Sequence, residues 1–249
     1  MSKLTKQQVK VHEAAVRLLN QDKISSKEKD YIFQNFHADA QHNTSKIGAF
    51  FTPLGLAHDF SLHIPYNQKH AVRIIDLCAG IGVLSYAACA NEDWDRCYAD
   101  ITCVELDPEF VKIGKKLVPN ATWICGDALD PNLLKCLGNF DIVISNPPFG
   151  NIKNAHSAIY SSNLFEYMII EAASHIAKEG AFIIPQTSAP FVFSGTNNPR
   201  WLQDGRARRF EKQTGITLEF NIGIDTDYYK NEWHQMAPQC EIVCCDFEK

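Results

Sequence analysis

Asn146, Pro147, Pro148 and Phe149 stand together directly after a short apolar run, Phe140 to Ser145. An amide, two prolines and an aromatic ring at the end of a strand make a rigid, polar, stacking pocket. Such a pocket can hold a planar amine and present its nitrogen to an electrophile. The Asn146 side-chain oxygen and the Pro147 carbonyl can accept hydrogen bonds from the two amino hydrogens. That draws electron density back onto a nitrogen whose lone pair is delocalised into a ring, and proline supplies its carbonyl in a fixed geometry. Phe149 can stack on the ring, a contact worth about 1–3 kcal/mol for a nucleobase. The blander reading is a proline-rich loop that ends a strand, with Phe149 plugging the core.

A second constellation lies upstream. Asp76-Leu77-Cys78-Ala79-Gly80-Ile81-Gly82 ends one apolar run and opens a helical pattern. Glycines there let the backbone turn and approach a ligand without a Cβ clash. Asp76, Cys78, Ala79, Gly80 and Gly82 are the candidate contacts in this turn. Glu105 ends the next apolar run, where a carboxylate can accept both hydroxyls of a ribose or merely cap a helix. Asp127 follows the third run, after Gly126, and can accept from an adenine amino group or simply form a turn. Leu106 and Ala128 adjoin these two carboxylates. A dinucleotide site would want a third glycine at position 85, where Ser85 stands, because its turn grips a pyrophosphate. S-adenosylmethionine has no pyrophosphate and tolerates one glycine fewer. A GxxxxGK[ST] loop is missing, which argues against a P-loop nucleotide hydrolase. The two constellations together point to methyl transfer onto an amino group.

Both must be carried by a sheet. Apolar runs predict strands at 71–76, 101–105, 121–125, 140–145, 181–185, 216–222 and 241–247, with helices at 82–91, 108–117, 131–137 and 164–178. The early strands are apolar throughout, as in a parallel sheet covered on both faces. The alternation of strand and helix predicts an α/β, doubly wound, seven-stranded fold. Thr52-Pro53, Asp107-Pro108 and Asp130-Pro131 each place a capping oxygen before a proline suited to the first helical position. Gly180 fits a C-cap after the fourth of these helices. Two further helices are predicted at 4–20 and 26–36, the second capped by Ser25 or Ser26. They form an N-terminal helical extension over residues 1–46, before a catalytic domain at 47–249.

Composition sets the outer bounds. The 249 residues are 45% apolar and 21% charged, ordinary for a globular protein. No apolar run approaches the ~20 residues that span a bilayer, and the N-terminus lacks a signal-peptide core, so a cytoplasmic protein away from membranes is expected. A net charge of −5 does not advertise a nucleic-acid binder, although a local basic face suffices for one. Of nine cysteines, positions 78, 89, 103, 125, 244 and 245 lie in apolar segments and none forms a C-x-x-C pair; buried, reduced thiols are expected.

With these residues assembled, the chain resembles the class I S-adenosylmethionine-dependent methyltransferases, and more narrowly the gamma-type enzymes that make N6-methyladenine in DNA. The resemblance covers roughly residues 47–247. Asn146 to Phe149 match the family's catalytic D/N/S-P-P-Y/F/W motif. Gly48-Ala49-Phe50-Phe51-Thr52-Pro53 resembles the FTP element that precedes the first strand, and the order of motifs is the gamma order. The resemblance implies a Rossmann-like fold, S-adenosylmethionine as cofactor, and Phe51, Thr52 and Pro53 over its methionine end. It also implies DNA as the substrate. Related N-P-P motifs occur in enzymes that methylate RNA bases or protein glutamine amides. Little sequence remains for a target-recognition domain, which assigns recognition to a partner subunit, or to a homodimer, if it exists.

Arg200-Trp201 through Lys212 interleaves Arg200, Arg206, Arg208 and Arg209 with Trp201 and Phe210. Such a mix can hold phosphates and stack bases, or be one solvated amphipathic helix. Lys153 and His156 fall in the polar loop 150–163, which can close over substrate. Asp225, Tyr228, Tyr229, Trp233 and His234 match no metal-ligand spacing, so packing is expected of them, and methyl transfer needs no metal.

Overall fold

The computed structural model describes residues 4–37, 50–65, 71–89, 99–151, 159–160, 163–234 and 237–248. Five parallel strands form the body of a seven-stranded sheet. They are β1 (Val72–Leu77), β2 (Ala99–Glu105), β3 (Thr122–Cys125), β4 (Phe140–Ser145) and β5 (Ala177–Pro185). Two very short strands, β6 (Phe191–Val192) and β7 (Arg200–Trp201), make a separate hairpin. The sheet is completed by β8 (Glu219–Phe220) and β9 (Cys240–Asp246), giving the order β3-β2-β1-β4-β5-β9-β8. β9 runs antiparallel to β5. The expected doubly wound, mostly parallel α/β architecture is therefore the observed one.

The strands alternate between two cores, as the period of two requires. Ile74, Ile101, Ile142, Ile144, Ile183 and Ile242 face one core; Ile75, Leu77, Val104, Val143, Ile184 and Val243 face the other. The first face is covered by α1 (Lys6–Leu19), α2 (Ser26–Asn35), α3 (Leu54–Phe60), α4 (Val83–Cys89) and α5 (Pro108–Leu117). α6 (Pro131–Leu137), α7 (Phe165–Ser174) and α8 (Arg206–Thr214) cover the second. Among the described residues no helix is long and apolar enough to cross a membrane.

Side-chain caps set four of the eight helix starts among the described residues. Thr5 and Ser25 each close a capping box, with Gln8 and Glu28 respectively. Asp107 and Asp130 accept from the amides of Glu109 and Asn132 at 2.8 and 2.9 Å, each before a proline. Thr52 departs from this pattern. α3 begins at Leu54 after Pro53 with no side-chain cap, because the Thr52 hydroxyl is engaged elsewhere.

Two other expectations change. α7 stops at Ser174, and Gly180 is no C-cap but lies inside β5, paired with Val143 and Cys245. A Cβ there would stand 2.4 Å from the ring of Phe182, two residues along the same strand, so the glycine leaves room for that ring. All eight described cysteines are free thiols, yet Cys89 and Cys125 are exposed. Cys125 ends an edge strand with an uncovered side, and Cys89 is the last residue of α4.

Candidate active site

In an open α/β sheet the binding crevice opens where the strand order reverses. Here the chain runs outward from β1 through β2 to β3, then returns to place β4 on the other side of β1. Asp76 pairs with Ile144 in this register, so the glycine turn and the Asn146 motif leave the sheet side by side. The Ser145 hydroxyl donates to the Leu77 carbonyl and fastens the two exits together.

The glycine turn is wound tightly. Cys78, Gly80 and Gly82 all have positive φ, at 61°, 58° and 89°, and Cys78 is the only such non-glycine among the described residues. A Cβ on Gly80 would meet the Phe51 ring at 3.0 Å. Gly82 is bare for another reason: a Cβ would stand 2.8 Å from Trp123 of β3. The Ala79 amide donates to the Val104 carbonyl and ties the turn to β2.

Three carboxylates border the turn. Glu105 accepts from the amides of Gly80 and Asp107, both at 2.8 Å, which fixes its orientation at the end of β2. Burial pushes its carboxyl up from the ordinary range, while the backbone amides oppose the shift. Beside it Leu106 is 59% exposed, an apolar face offered to solvent. Asp127 is exposed and uses one oxygen to accept from the Leu129 amide at 2.9 Å, with Ala128 buried behind it. Asp76 is buried, accepts from the Ser85 hydroxyl at 2.7 Å, and has Oδ1 enclosed without a partner. Burial raises its pKa to about 7, against the Ser85 hydrogen bond and with the Glu105 charge adding to the rise. Ser85, at the position where a dinucleotide site has glycine, thus supplies the hydroxyl that orients Asp76.

These residues fit S-adenosylmethionine. An orphaned, buried carboxylate oxygen asks for a cation or donor, and the cofactor brings an ammonium. Glu105 has lone pairs left for ribose hydroxyls, Leu106 gives an apolar face for a planar base, and Asp127 keeps an oxygen for an amino group. Asn146 leaves the sheet beside this turn, at the end of β4.

Asn146 is held from the FTP stretch. Its Nδ2 donates to the Phe50 carbonyl at 2.8 Å and to the Thr52 hydroxyl at 2.9 Å. An amide nitrogen has two protons to give, so both are committed, and Oδ1 is left as the acceptor. Thr52 is buried. Phe51 closes on Gly80 and meets Phe110 at 5.3 Å. Pro147 is buried, while Pro148 and Phe149 are half-buried. The Phe149 ring touches Phe50 at 5.9 Å, and Phe50 meets Trp233 edge-on at 6.3 Å. Phe50 and Phe149 are in contact, so a planar group would stack on the open face of Phe149 and not between them.

The motif's far side is anchored by residues that no sequence pattern singled out. Glu166 and Glu171 of α7 are buried. Glu166 accepts from the Gly150 amide and the Ser188 hydroxyl; Glu171 accepts from the amides of Ile159 and Tyr160. Lys153 and His156 lie outside the described residues.

The basic stretch divides. Arg206 and Arg209 are exposed on α8, and Arg200 is exposed on β7. Arg208 is half-buried and engaged by groups of the protein itself. Its Nε donates to the Leu202 carbonyl, its Nη1 pairs with Glu211 at 2.7 Å, and it lies 5.6 Å over Trp201. The cluster at 225–234 packs only in part, since Tyr228 is 80% exposed. Tyr229 and Trp233 are buried, the Tyr229 hydroxyl donates to Asp59, and the described residues contain no metal-ligand group.

The methyltransferase small domain family matches residues 61–189, more than half of this sequence. The chain belongs to that family. Solved structures with the same fold include a candidate class I S-adenosylmethionine-dependent methyltransferase from Listeria monocytogenes, at 16% identity and TM-score 0.61 over 92% of this chain and 69% of that one. The type I restriction-modification methyltransferase subunit of Streptococcus thermophilus matches at 16% identity and TM-score 0.58, over 89% of this chain. This chain spans half of that subunit's length. A candidate RNA methyltransferase from Pyrococcus horikoshii matches at 18% identity and TM-score 0.51, over 94% of this chain and 97% of its own. A search of curated proteins finds no match. S-adenosylmethionine, the cofactor named for the Listeria monocytogenes protein, is the group that the residues at these strand ends fit.

Proposed function

We propose that this methyltransferase moves a methyl group onto the exocyclic N6 of adenine in DNA. The observation that carries the reading is the commitment of both Asn146 amide protons to Phe50 and Thr52, which fixes Oδ1 as the acceptor. S-adenosylmethionine, when bound, supplies an electrophilic methyl on its sulfonium. Asn146 Oδ1 and the Pro147 carbonyl accept the two amine hydrogens and aim the nitrogen lone pair. Phe149 stacks on the ring from its open face. No strong base is needed, because the amine turns acidic as the new bond forms and its proton passes to water. In duplex DNA the base first leaves the helix.

DNA is favoured by the FTP element and by the likeness of fold to a restriction-modification subunit. On this reading Glu105 and Asp127 grip the cofactor's ribose and adenine, while exposed Arg206 and Arg209 meet phosphates. A partner subunit or a second copy can contribute to target recognition.

The test is incubation with tritiated-methyl S-adenosylmethionine and, separately, duplex DNA, single-stranded DNA, RNA and protein extract. N6-methyladenine in DNA, lost in Asn146→Ala, is the expected product. Label confined to RNA adenine or to glutamine would overturn the substrate and keep the chemistry.

A further inference from the structure

A separate pocket of about 250 Å³ opens on the same edge of the sheet as Asn146. It is smaller than the roughly 300–1,000 Å³ of sites for whole small molecules, so it suits a single planar group with one phosphate. Its floor lies where β5 ends and β9 begins, with the Gln186 amide donating to the Gln239 carbonyl at 3.0 Å. β9 is two strands from β4, and strand spacing makes that roughly 10 Å. Arg200, Asp227, Lys230, Trp233, Gln239 and Thr196 line it.

The walls are firm and the charge is defined. Glu241, fully buried beneath, accepts from the Gln186 side chain and from the amides of Phe193 and Ser194. Lys230 sits on Asp227 at 2.7 Å. Arg200 is exposed and has no ion-pair partner among the described residues. Among the lining side chains Arg200 and Lys230 stand against Asp227 alone, while the buried Glu241 is engaged by its own four donors, so the guanidinium facing the pocket is suited to phosphate oxygens. Trp233 connects it to the reaction centre: its ring meets Phe50, Phe50 meets Phe149, and the Phe50 carbonyl holds Asn146.

Resting on the adenine reading above, we propose that this pocket receives the nucleotide next to the target. Its phosphate lies on Arg200 with Lys230 beside it, and its base sits toward Trp233 with Thr196 and Gln239 at its edge. A negatively charged flanking group would thereby be required for binding but not for the chemical step.

The experiment uses the full chain and a short single-stranded DNA with one adenine. Methyl transfer and oligonucleotide binding are measured against salt for the wild type and for Arg200→Ala, Arg200→Lys and Lys230→Ala. The same set is run on an oligonucleotide with a neutral methylphosphonate next to the adenine. Expected are a roughly 5–20-fold rise in KM for Arg200→Ala with kcat nearly unchanged, a smaller rise for Lys230→Ala, and retention in Arg200→Lys. The salt slope should fall by about one in Arg200→Ala. The methylphosphonate should weaken the wild type and add little to Arg200→Ala, because both remove the same contact. Wild-type transfer to adenine with KM and salt slope unmoved in both alanine variants would overturn the pocket and leave the adenine reading standing. No transfer to adenine by cofactor-loaded wild type would overturn the adenine reading, and the pocket with it.

Discussion

The two sides of the sheet hold their functional groups by different means. On the β1-β2-β3 side the three carboxylates and the glycine turn lie at or within a few residues of strand ends, fixed by nearby backbone amides or, for Asp76, by the Ser85 hydroxyl. On the β5-β9 side the groups come from a long segment, 186–239, inserted between two paired strands. One buried carboxylate, Glu241, gathers that segment from 48 residues away. The stacked pair Tyr167 and Phe210, at 4.7 Å, fastens α8 to the second core. The side proposed to hold the cofactor is a set of mostly local devices, whereas the side proposed to hold the substrate depends on long-range contacts. Changes should therefore separate into those that spare cofactor binding and those that spare everything else.

The largest separation is expected at the seam. Asn146→Ala removes the acceptor for the amine and should lower kcat by about 10²–10³, the scale found when one preorganised hydrogen-bonding group is lost from a reaction centre. The carboxylates and glycine turn are untouched, so cofactor affinity measured by calorimetry should stay within about twofold. A parallel loss of cofactor binding would show that the two sides are not independent.

Glu241→Gln tests the other side. The carboxylate is surrounded only by donors: Gln186 Nε2, the Phe193 and Ser194 amides, and the Ser194 hydroxyl. A glutamine would turn an NH2 toward them and leave buried groups unsatisfied, at about 1–3 kcal/mol each. Thermal unfolding should show a drop of that order. In protein that remains folded, oligonucleotide KM should rise while cofactor affinity holds. An equal loss of both would dissolve the distinction.

The same asymmetry decides what the sequence reveals. Strands β1 to β5 are four to nine residues long with mostly apolar cores, and the carboxylates and glycines sit at or just after the ends of the first three, so spacing alone locates them. β6, β7 and β8 are two residues each, too short for any period to register. Glu166, Glu171 and Glu241 look like surface acids in sequence, yet each is buried because distant amides converge on it. Thr52 misleads for a related reason. Thr-Pro is a good helix start, but the hydroxyl has a stronger engagement 94 residues away. Arg208 was indistinguishable from Arg206 and Arg209 until α8 placed it beside Glu211 and Trp201.

A smaller effect probes the cofactor side through pH. Asp76 is a carboxyl raised to about 7 by burial, so the folded protein without cofactor holds a proton that the unfolded chain has released above about 4. Its stability should therefore fall as pH rises through the interval from about 4 to 7, and become level above it. An ammonium partner needs Asp76 ionised. Cofactor affinity should then rise as pH increases toward 7, at most tenfold per unit, and flatten beyond. In Asp76→Asn the dependence near 7 should vanish and the affinity should be weaker throughout. A pH-independent wild-type affinity between 5.5 and 7.5 would remove Asp76 from the cofactor's charged end.

The smallest predicted change lies where the two sides meet. Thr52→Val keeps the shape of a buried residue and removes the acceptor for one Asn146 proton. The Phe50 carbonyl still holds the other proton, so the amide stays near its place but can tilt. One ordinary hydrogen bond is worth about 0.5–1.5 kcal/mol, and about 1.4 kcal/mol is tenfold in rate. kcat should thus fall up to about tenfold, with cofactor affinity and oligonucleotide KM both close to wild type. Thr52→Ser, which restores the hydroxyl, should recover most of the rate. If the valine variant instead loses cofactor affinity, Thr52 acts as part of the cofactor's cover and not as a brace for Asn146, and the seam belongs to the cofactor side.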